Sequence, residues 1–406
     1  MPSDWNVKQI GELQPFVTSG SRGWARFYSE TGSPFIRITN LSRSRICLDL
    51  ADLRSVNLPA SDSEGARTQL AVGDVLISVT ADIGIVGYVS SRVPTPAYIN
   101  QHIALVRFDR VRVNPKFVSY FLASEQPQRR FRSLTDAGAK AGMNLPTVRI
   151  VQVALPPTVR EQDAVAGALS DTDALIESLE QLLVKKHHIK QGAMQELLTG
   201  QRRLPGFRDE WCARKLGEIG SFLKGRGVSR DQASSGTIPC VRYGEIYTTH
   251  QDRIAEFGSW ISAEVAAEAT LLKRGDLLFA GSGETKEEIG KCVAFLDDFP
   301  AYAGGDIVIL RLREGHPLFL GYALNTPAAV RQKASRGQGD AVVHISASAL
   351  GDVSIRMPDV PEQSAIATTL SDIDAELAAL EARLAKTRLL KQGMAQALLT
   401  GRIRLV

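Results

Sequence analysis

The sequence predicts an α+β chain built as a pseudo-two-fold internal repeat, with two similar mixed α/β domains joined by two long helices that form an antiparallel coiled coil. Three observations carry this expectation. The segment Glu161–Leu204 recurs without a gap as Glu362–Leu405, 201 residues on (162 to 363), with about half of the paired positions identical. Each copy has a heptad pattern of apolar residues. The blocks that precede the copies also share a fainter framework. A repeat of this kind is settled before other assignments, because missing it mis-assigns the fold. The predicted boundaries are 1–156 and 205–357 for the two domains, and 157–204 and 358–406 for the helical segments.

Both copies read as helix. Thr158-Val159-Arg160-Glu161 has the spacing of a capping box, and Asp359-Val360-Pro361-Glu362 repeats it with an Asp N-cap. Ile366, Leu370, Ile373, Leu377, Leu380 and Leu384 follow at alternating steps of four and three, and Val165, Leu169, Thr172, Ile176, Leu179 and Leu183 match them. That is the seam of a helix sized for a partner helix. Some 40 residues of helix span roughly 60 Å at 1.5 Å per residue. Glu177, Glu180, Lys185 and Lys186 lie off the seam in the first copy, as do Glu381, Arg383 and Lys386 in the second. Thr199-Gly200 and Thr400-Gly401 supply the stop, with Gly in the left-handed position past the last turn. Gly192 and Gly393 sit inside the pattern at a cost of about 1 kcal/mol each relative to Ala. A break in the helix or a close backbone approach is expected there. Two equivalent elements in one chain most simply pack together, antiparallel because the intervening block returns the chain.

The two preceding blocks correspond point by point. Trp5 through Gly11-Glu12 answers Trp211 through Gly217-Glu218, and Pro34-Phe35-Ile36-Arg37 answers Pro239-Cys240-Val241-Arg242. Gly73-Asp74 and Gly275-Asp276 each lead into an apolar strand. Ile103–Arg107 answers Ile307–Arg311, and Pro115, Phe117 and Tyr120 answer Pro317, Phe319 and Tyr322 at the start of a short helix. The loops between these points differ, as in SVTADIGIVG after Ile77 against AGSGETKEEIG after Phe279. A shared scaffold with different loops predicts two related sites that read different things.

Composition narrows the class. The 406 residues are 44% hydrophobic and 23% charged, as in ordinary soluble domains. A formal charge of +4 and a pI near 8.8 permit a nucleic-acid partner. The start MPSDWNVKQIGELQPF lacks the pattern of a signal peptide, and no run reaches the 18 apolar residues of a membrane span. Cys47, Cys212, Cys240 and Cys292 are scattered, which predicts reduced thiols in a cytoplasmic protein. No phosphate-binding loop, nucleophile elbow or Asn-Pro-Pro-Tyr methyltransferase motif occurs. His187-His188 reads as part of a solvated basic face, and His102 and His344 as packed or hydrogen-bonded rather than catalytic. A chain this long without a catalytic constellation reads as a recognition module, with no cofactor and no metal of its own.

Basic and amide residues in the inter-strand loops supply the recognition candidates: Arg22, Arg26, Arg37, Asn40, Arg43, Gln101, Lys140 and Asn144 in the first block, and Lys224, Arg226, Arg230, Arg242, Lys286, Arg336 and Gln338 in the second. Arg, Asn and Gln can pair bidentately with base edges, while Lys and the remaining Arg neutralise phosphates. The bland alternative is ordinary solubility charge; the clustering in both blocks favours DNA. Leu197, Leu198, Leu398 and Leu399 lie past the clean part of the seam and are expected to leave the helix pair as an apolar docking surface.

The layout resembles the specificity subunit of type I restriction-modification enzymes over essentially the whole chain. The resemblance rests on Pro157 with Glu161-Gln162, on Leu197-Leu198-Thr199-Gly200 running into Arg203-Leu204-Pro205-Gly206-Phe207, on their copies at Pro358, Glu362-Gln363 and Leu398-Leu399-Thr400-Gly401, and on the Trp-led start of each block. It implies that each block is a target recognition domain reading half of a bipartite, asymmetric site in double-stranded DNA. It implies that the helices hold the domains apart and dock two modification subunits, which bring S-adenosylmethionine and methylate adenine. Restriction subunits that cleave with ATP and Mg would join that core. Two alternatives stay open from the residues: a coiled-coil adaptor with protein-binding lobes, and a methyltransferase or nuclease whose catalytic domain is unrecognised.

Overall fold

The computed structural model describes residues 2–20, 22–59, 63–135, 142–339 and 342–405. The chain divides into two compact units, Met1–Gln181 with Ala382–Val406, and Leu182–Glu381. Each long helix, Val159–Leu197 and Val360–Leu398, runs unbroken for 39 residues and gives one half to each unit.

In the first unit one antiparallel sheet has the order Phe16–Ser19, Ile103–Arg107, Val75–Ser78, Val86–Tyr88. The second unit repeats it as Gly220–Lys224, Ile307–Leu312, Leu277–Ala280, Cys292–Ala294. The Gly-Asp turns work as expected. Asp74 is buried and paired with Arg107 (2.7 Å), and Asp276 repeats this with Arg311 (2.7 Å), which ties the turn to the neighbouring strand. A second four-stranded sheet in each unit contains a parallel pair, Ser33–Ile36 with Tyr98–Ile99 and Ile238–Val241 with Tyr302–Ala303. A two-stranded ribbon closes each domain on itself, Asn6–Gln9 with Gln152–Leu155 and Cys212–Lys215 with Ser354–Met357. Helices Pro115–Ala123 and Pro317–Ala323 start where the sequence places them, with Asn114 and His316 at their N-caps.

Within each unit the two helix segments run antiparallel. In the first unit Lys391 pairs with Asp173 (2.5 Å) and Arg388 with Glu180 (2.6 Å). In the second, Lys190 pairs with Asp374 (2.7 Å) and Lys186 with Glu376 (2.7 Å). The seam residues Val165, Leu169 and Leu179, and Ile366, Leu370 and Leu377, are buried. Tyr120 and Tyr322 reach from the domains and donate to Asp173 (2.7 Å) and Asp374 (2.6 Å), so a Tyr-Asp-Lys junction joins domain to both helices in each unit. Burial and these carboxylates push both phenols well above the ordinary tyrosine range.

The repeated Glu-Gln pair explains itself in the structure. Gln162 accepts from the Asn114 backbone N–H (2.9 Å) and donates to the Pro156 carbonyl (3.4 Å); Gln363 does the same with His316 (2.8 Å) and Pro358 (2.7 Å). The N-caps form through Thr158 and Asp359, whose side chains accept from Glu161 and Glu362 N–H (3.2 Å each). The reciprocal half of the capping box is given up. Glu161 instead takes a bidentate Arg404 (Nη2 at 2.7 Å), and Glu362 takes Arg203 (2.6 Å to each oxygen). Gly200 and Gly401 adopt φ of +72° and +70° and lie against the Trp211 and Trp5 rings, where a Cβ on Gly401 would collide with Pro2.

Two expectations are corrected here. Gly192 and Gly393 neither break the helices nor meet another backbone, since nothing lies within 4 Å of a Cβ built on either. Leu197, Leu198, Leu398 and Leu399 are not exposed docking residues. They are 3–6% exposed and pack in the two main cores, Leu398 and Leu399 with Trp5, Phe117 and Leu169, Leu197 and Leu198 with Trp211, Phe319 and Leu370. Each pair sits at the end of one helix beside the start of the other, where burying two apolar side chains closes the core. Leu198→Ala and Leu399→Ala should therefore each cost about 2–5 kcal/mol of stability, read as a lower urea midpoint; near-wild-type midpoints would restore them as surface residues.

Candidate nucleic-acid interface

At one end of the main sheet in each unit the strand ends and their loops converge. In the first unit Asn100 N–H donates to the Ile36 carbonyl (3.1 Å), Val79 N–H to His102 (2.9 Å) and Met143 N–H to Val79 (2.8 Å). Gly20 lies flat against Ile99 and Asn100, where any Cβ would collide. These contacts gather Arg37, Thr80, Gln101, His102 and Asn144 on one rim, with Arg22 two residues beyond Gly20. In the second unit Gly304 N–H donates to Val241 (2.9 Å), Gly305 to Gly227 (2.9 Å), Gly281 to Asp306 (2.7 Å) and Ile345 to Gly281 (3.0 Å). Arg226, Arg242, Ser282, Gln338 and His344 share that rim. Its loops include non-glycine residues with positive φ, Val228 at +61° and Asp306 at +59°, and the first rim has Ala81 at +62°. Such backbone persists only where the surroundings over-determine it, and it clusters at functional sites.

The structure sorts the recognition candidates by what holds them. Asn40 is a framework residue: at 2% exposure it accepts from Arg37 N–H and donates to the Asp49 and Asp52 carbonyls, so it cannot reach a ligand. Arg43 is spent on Asp82, the Ile83 carbonyl (3.0 Å) and Gln128 (2.7 Å). Asn144 caps the helix Leu145–Ile150 through Thr147 (2.8 Å). Arg336 holds the Gln332 (2.7 Å) and Asp352 (3.4 Å) carbonyls. Arg37 is half-anchored, with one nitrogen on Asp52 (3.1 Å). Arg22, Arg26, Lys224, Arg226, Arg230 and Lys286 are exposed and make no ion pair among the described residues; Arg26 lies over the Phe27 ring, 4.6 Å from its centroid. Arg242 is half-buried and Gln338 exposed. Lys140 lies outside the described residues.

Sequence reasoning missed the role of the rim histidines. His102 Nδ1 bonds the Thr80 hydroxyl, and His344 Nδ1 bonds the Ser282 hydroxyl at 2.8 Å. Thr80 and Ser282 are matched positions, five residues after the matched strand starts Val75 and Leu277, and that correspondence was the available signal.

A third histidine has a different part. His250 is 2% exposed and neither ring nitrogen has a partner among the described residues. Burial, with Lys291 nearby, pulls its pKa down to about 4. No group of three or more metal-type side chains occurs among the described residues, and no helix there is long and apolar enough to cross a membrane.

With the fold and rims in place, the class is defined: the chain belongs to the family of type I restriction-modification DNA specificity domains, which matches it twice, over residues 2–185 and 208–387. Among curated proteins it is similar to two from Methanocaldococcus jannaschii, named for the specificity subunits of the type I restriction enzymes MjaX and MjaVIII. The MjaX protein is 24% identical over 202 residues, 49% of this chain and 46% of its own length. The MjaVIII protein is 24% identical over 210 residues, 50% and 48% respectively. The chain thus spans about half the length of the curated relatives it matches. Among solved structures it resembles the S subunit of a type I restriction-modification system from M. genitalium, with a TM-score of 0.62 at 13% identity over 97% of this chain and 96% of that one. A chain from a type I system solved for its complex assembly and conformational transition gives a TM-score of 0.52 at 17% identity, covering 98% of each. At these identities the likeness concerns the fold.

The depressed His250 pKa has a consequence for stability. Between pH about 6.5 and 4 the unfolded chain binds a proton that the folded chain refuses, so stability falls as pH falls, by about 1.4 kcal/mol per pH unit from this group. His250→Leu should flatten that slope in urea titrations across the window; an unchanged slope would show that His250 is not buried neutral.

Proposed function

We propose that this chain is a non-catalytic DNA-reading subunit of a type I restriction-modification complex. Its two target recognition domains, 1–156 and 205–357, each read one half of a bipartite asymmetric site in double-stranded DNA. The observation that carries this reading is the pair of rims: equivalent strand ends in a repeated frame, with amides and with exposed arginines and lysines that make no ion pair among the described residues, presented on loops that differ. Family membership supports it. These exposed Arg and Lys side chains suit phosphates, and the amide and half-anchored Arg side chains suit base edges. The chain works in the cytoplasm and needs no cofactor of its own; S-adenosylmethionine belongs to the modification subunits, and ATP with Mg to restriction subunits where these are present.

The long helices act as spacer and dock two modification subunits. With the Leu-Leu pairs internal, the docking role passes to apolar residues left in solvent on the helices, Leu389 and Leu390 (69% and 55% exposed), and Val184 and Ile189 (57% and 44%). In the first unit a groove of about 1280 Å³ lies along both helices, lined by Glu177, Glu180, Arg388, Gln392 and Gln396 among others. A large apolar side chain held in water beside a charged groove is the pattern of an interface core with a polar rim.

Selecting bound sequences from a random duplex library with the assembled complex tests the reading. A bipartite consensus is expected, and replacing residues 1–156 by those of a relative should change one half-site alone. Four residues inserted after Leu183 and again after Leu384 add about 6 Å of helix, so the unread spacer should lengthen by about one or two base pairs at ~3.4 Å each. Absence of any sequence preference would favour the adaptor alternative, and S-adenosylmethionine binding by the isolated chain would favour the enzyme. Docking is tested separately: Leu389→Asp with Leu390→Asp should abolish co-purification with modification subunits and leave the circular dichroism of the free chain unchanged. Retained co-purification would move the docking site elsewhere.

A further inference from the structure

The two rims hold the same chemical pair at the same point, assembled from different parts of the chain. Thr80 and Ser282 follow matched central strands, and each is bridged by an antiparallel partner, Thr80 by Gly142 and Ser282 by His344. In the second domain the bridging residue is itself the histidine that bonds the hydroxyl. In the first domain the bridging position is Gly142, which has no side chain, and the imidazole comes from His102, in the turn before the strand Ile103–Arg107. A framework hydroxyl that needed only a partner could take a backbone carbonyl. Recruiting an imidazole by two unrelated routes means that the ring, held at this place on the rim, is what the two domains have in common.

What each ring presents differs. In the first domain Gln101 Nε2 donates to His102 Nε2 at 3.1 Å, so that nitrogen is unprotonated and the ring proton sits on Nδ1, donated to the Thr80 hydroxyl. His102 N–H is fixed in turn by Asn100 Oδ1 (3.1 Å). The chain of bonds runs from Thr80 through His102 to Gln101 and, among the described residues, leaves the Gln101 amide one N–H and its carbonyl oxygen without a partner. That is the pair needed for adenine N7 and N6 in the major groove. In the second domain Ser282 holds His344 at Nδ1, the backbone locks it through Gln338 (2.9 and 2.8 Å), and Nε2 has no partner among the described residues. His344 is exposed, so its free nitrogen offers one hydrogen bond outward.

We propose that this hydroxyl-histidine pair sets the base-reading side chain of each domain: Gln101, positioned by His102 and Thr80, reads an adenine in one half-site, and His344, positioned by Ser282, reads one base of the other. The proposal rests on the DNA-recognition reading above and names the residues that give it specificity.

The test is the sequence selected by the assembled complex carrying single substitutions. Gln101→Ala should lower discrimination at one A·T pair of the first domain's half-site by roughly 5- to 150-fold and leave the second half-site intact. His344→Ala should do the converse. As a positioning residue, His102 should give the same positional loss on His102→Ala, and Thr80→Ala should be rescued by Thr80→Ser, as Ser282→Ala should be by Ser282→Thr. If wild type selects a bipartite sequence and the variants select the same one, this inference fails and the recognition reading stands. A uniform weakening across all sequences would make these residues phosphate contacts and overturn the inference as well. If wild type selects nothing, both fail.

Discussion

Everything in each unit depends on one buried carboxylate at the start of a long helix. Glu161 and Glu362 are almost wholly inaccessible, and each is neutralised by an arginine that follows the end of the other helix. An unpaired buried carboxylate is costly enough that removing its partner destabilises far more than a surface pair does. The arginine can arrive only if the preceding Gly turns left-handed against the tryptophan ring, and only if the two leucines before it enter the core. Trp, Glu-Gln and Leu-Leu-Thr-Gly-x-x-Arg are therefore one joint, written in three separated pieces of sequence. The two copies balance it differently. Trp211 donates its indole N–H to Glu362 (3.2 Å), whereas the Trp5 indole N–H has no partner among the described residues and Asp4 takes a share of Arg404 (2.9 Å).

This joint accounts for what the sequence reveals well. A repeat held by charge pairs, a left-handed glycine and packed rings tolerates little drift, so it survives as identity between copies, and the helices, seam and strand frame could be read from it. The misreadings share a physical cause. Leu197 and Leu398 lie two heptads on from Leu183 and Leu384, and Leu198 and Leu399 one residue out of phase; all four pack against both a domain and the start of the other helix, and a linear pattern cannot tell that from exposure. Gly192 and Gly393 suggest a break or a close backbone approach, but a helix held by packing on both sides of a glycine absorbs a cost near 1 kcal/mol.

The rims were legible only as a region. Composition pointed to the loops, yet Asn40 and Arg43 have the same residue types as the free side chains and differ only in finding Asp49, Asp52 and Asp82 within reach. Those partners are fixed by the fold and not by neighbours in sequence. The histidines were visible but unpaired, because His102 and His344 do not match in the repeat. Their common partner, Thr80 and Ser282, does match, and a hydroxyl at the end of a strand draws no attention by itself.

The joint also orders how the chain can form. The first unit is discontinuous, and its seal is made between residues 243 positions apart, Glu161 and Arg404. The second closes between Arg203 and Glu362, 159 positions apart. During synthesis the first domain is complete in its sheets long before its helix can find Leu398, Leu399 and Arg404, so it must wait with an open core face and an unpaired Glu161. Long-range closure of this kind is entropically slow. What it secures is that neither unit is finished without both helices.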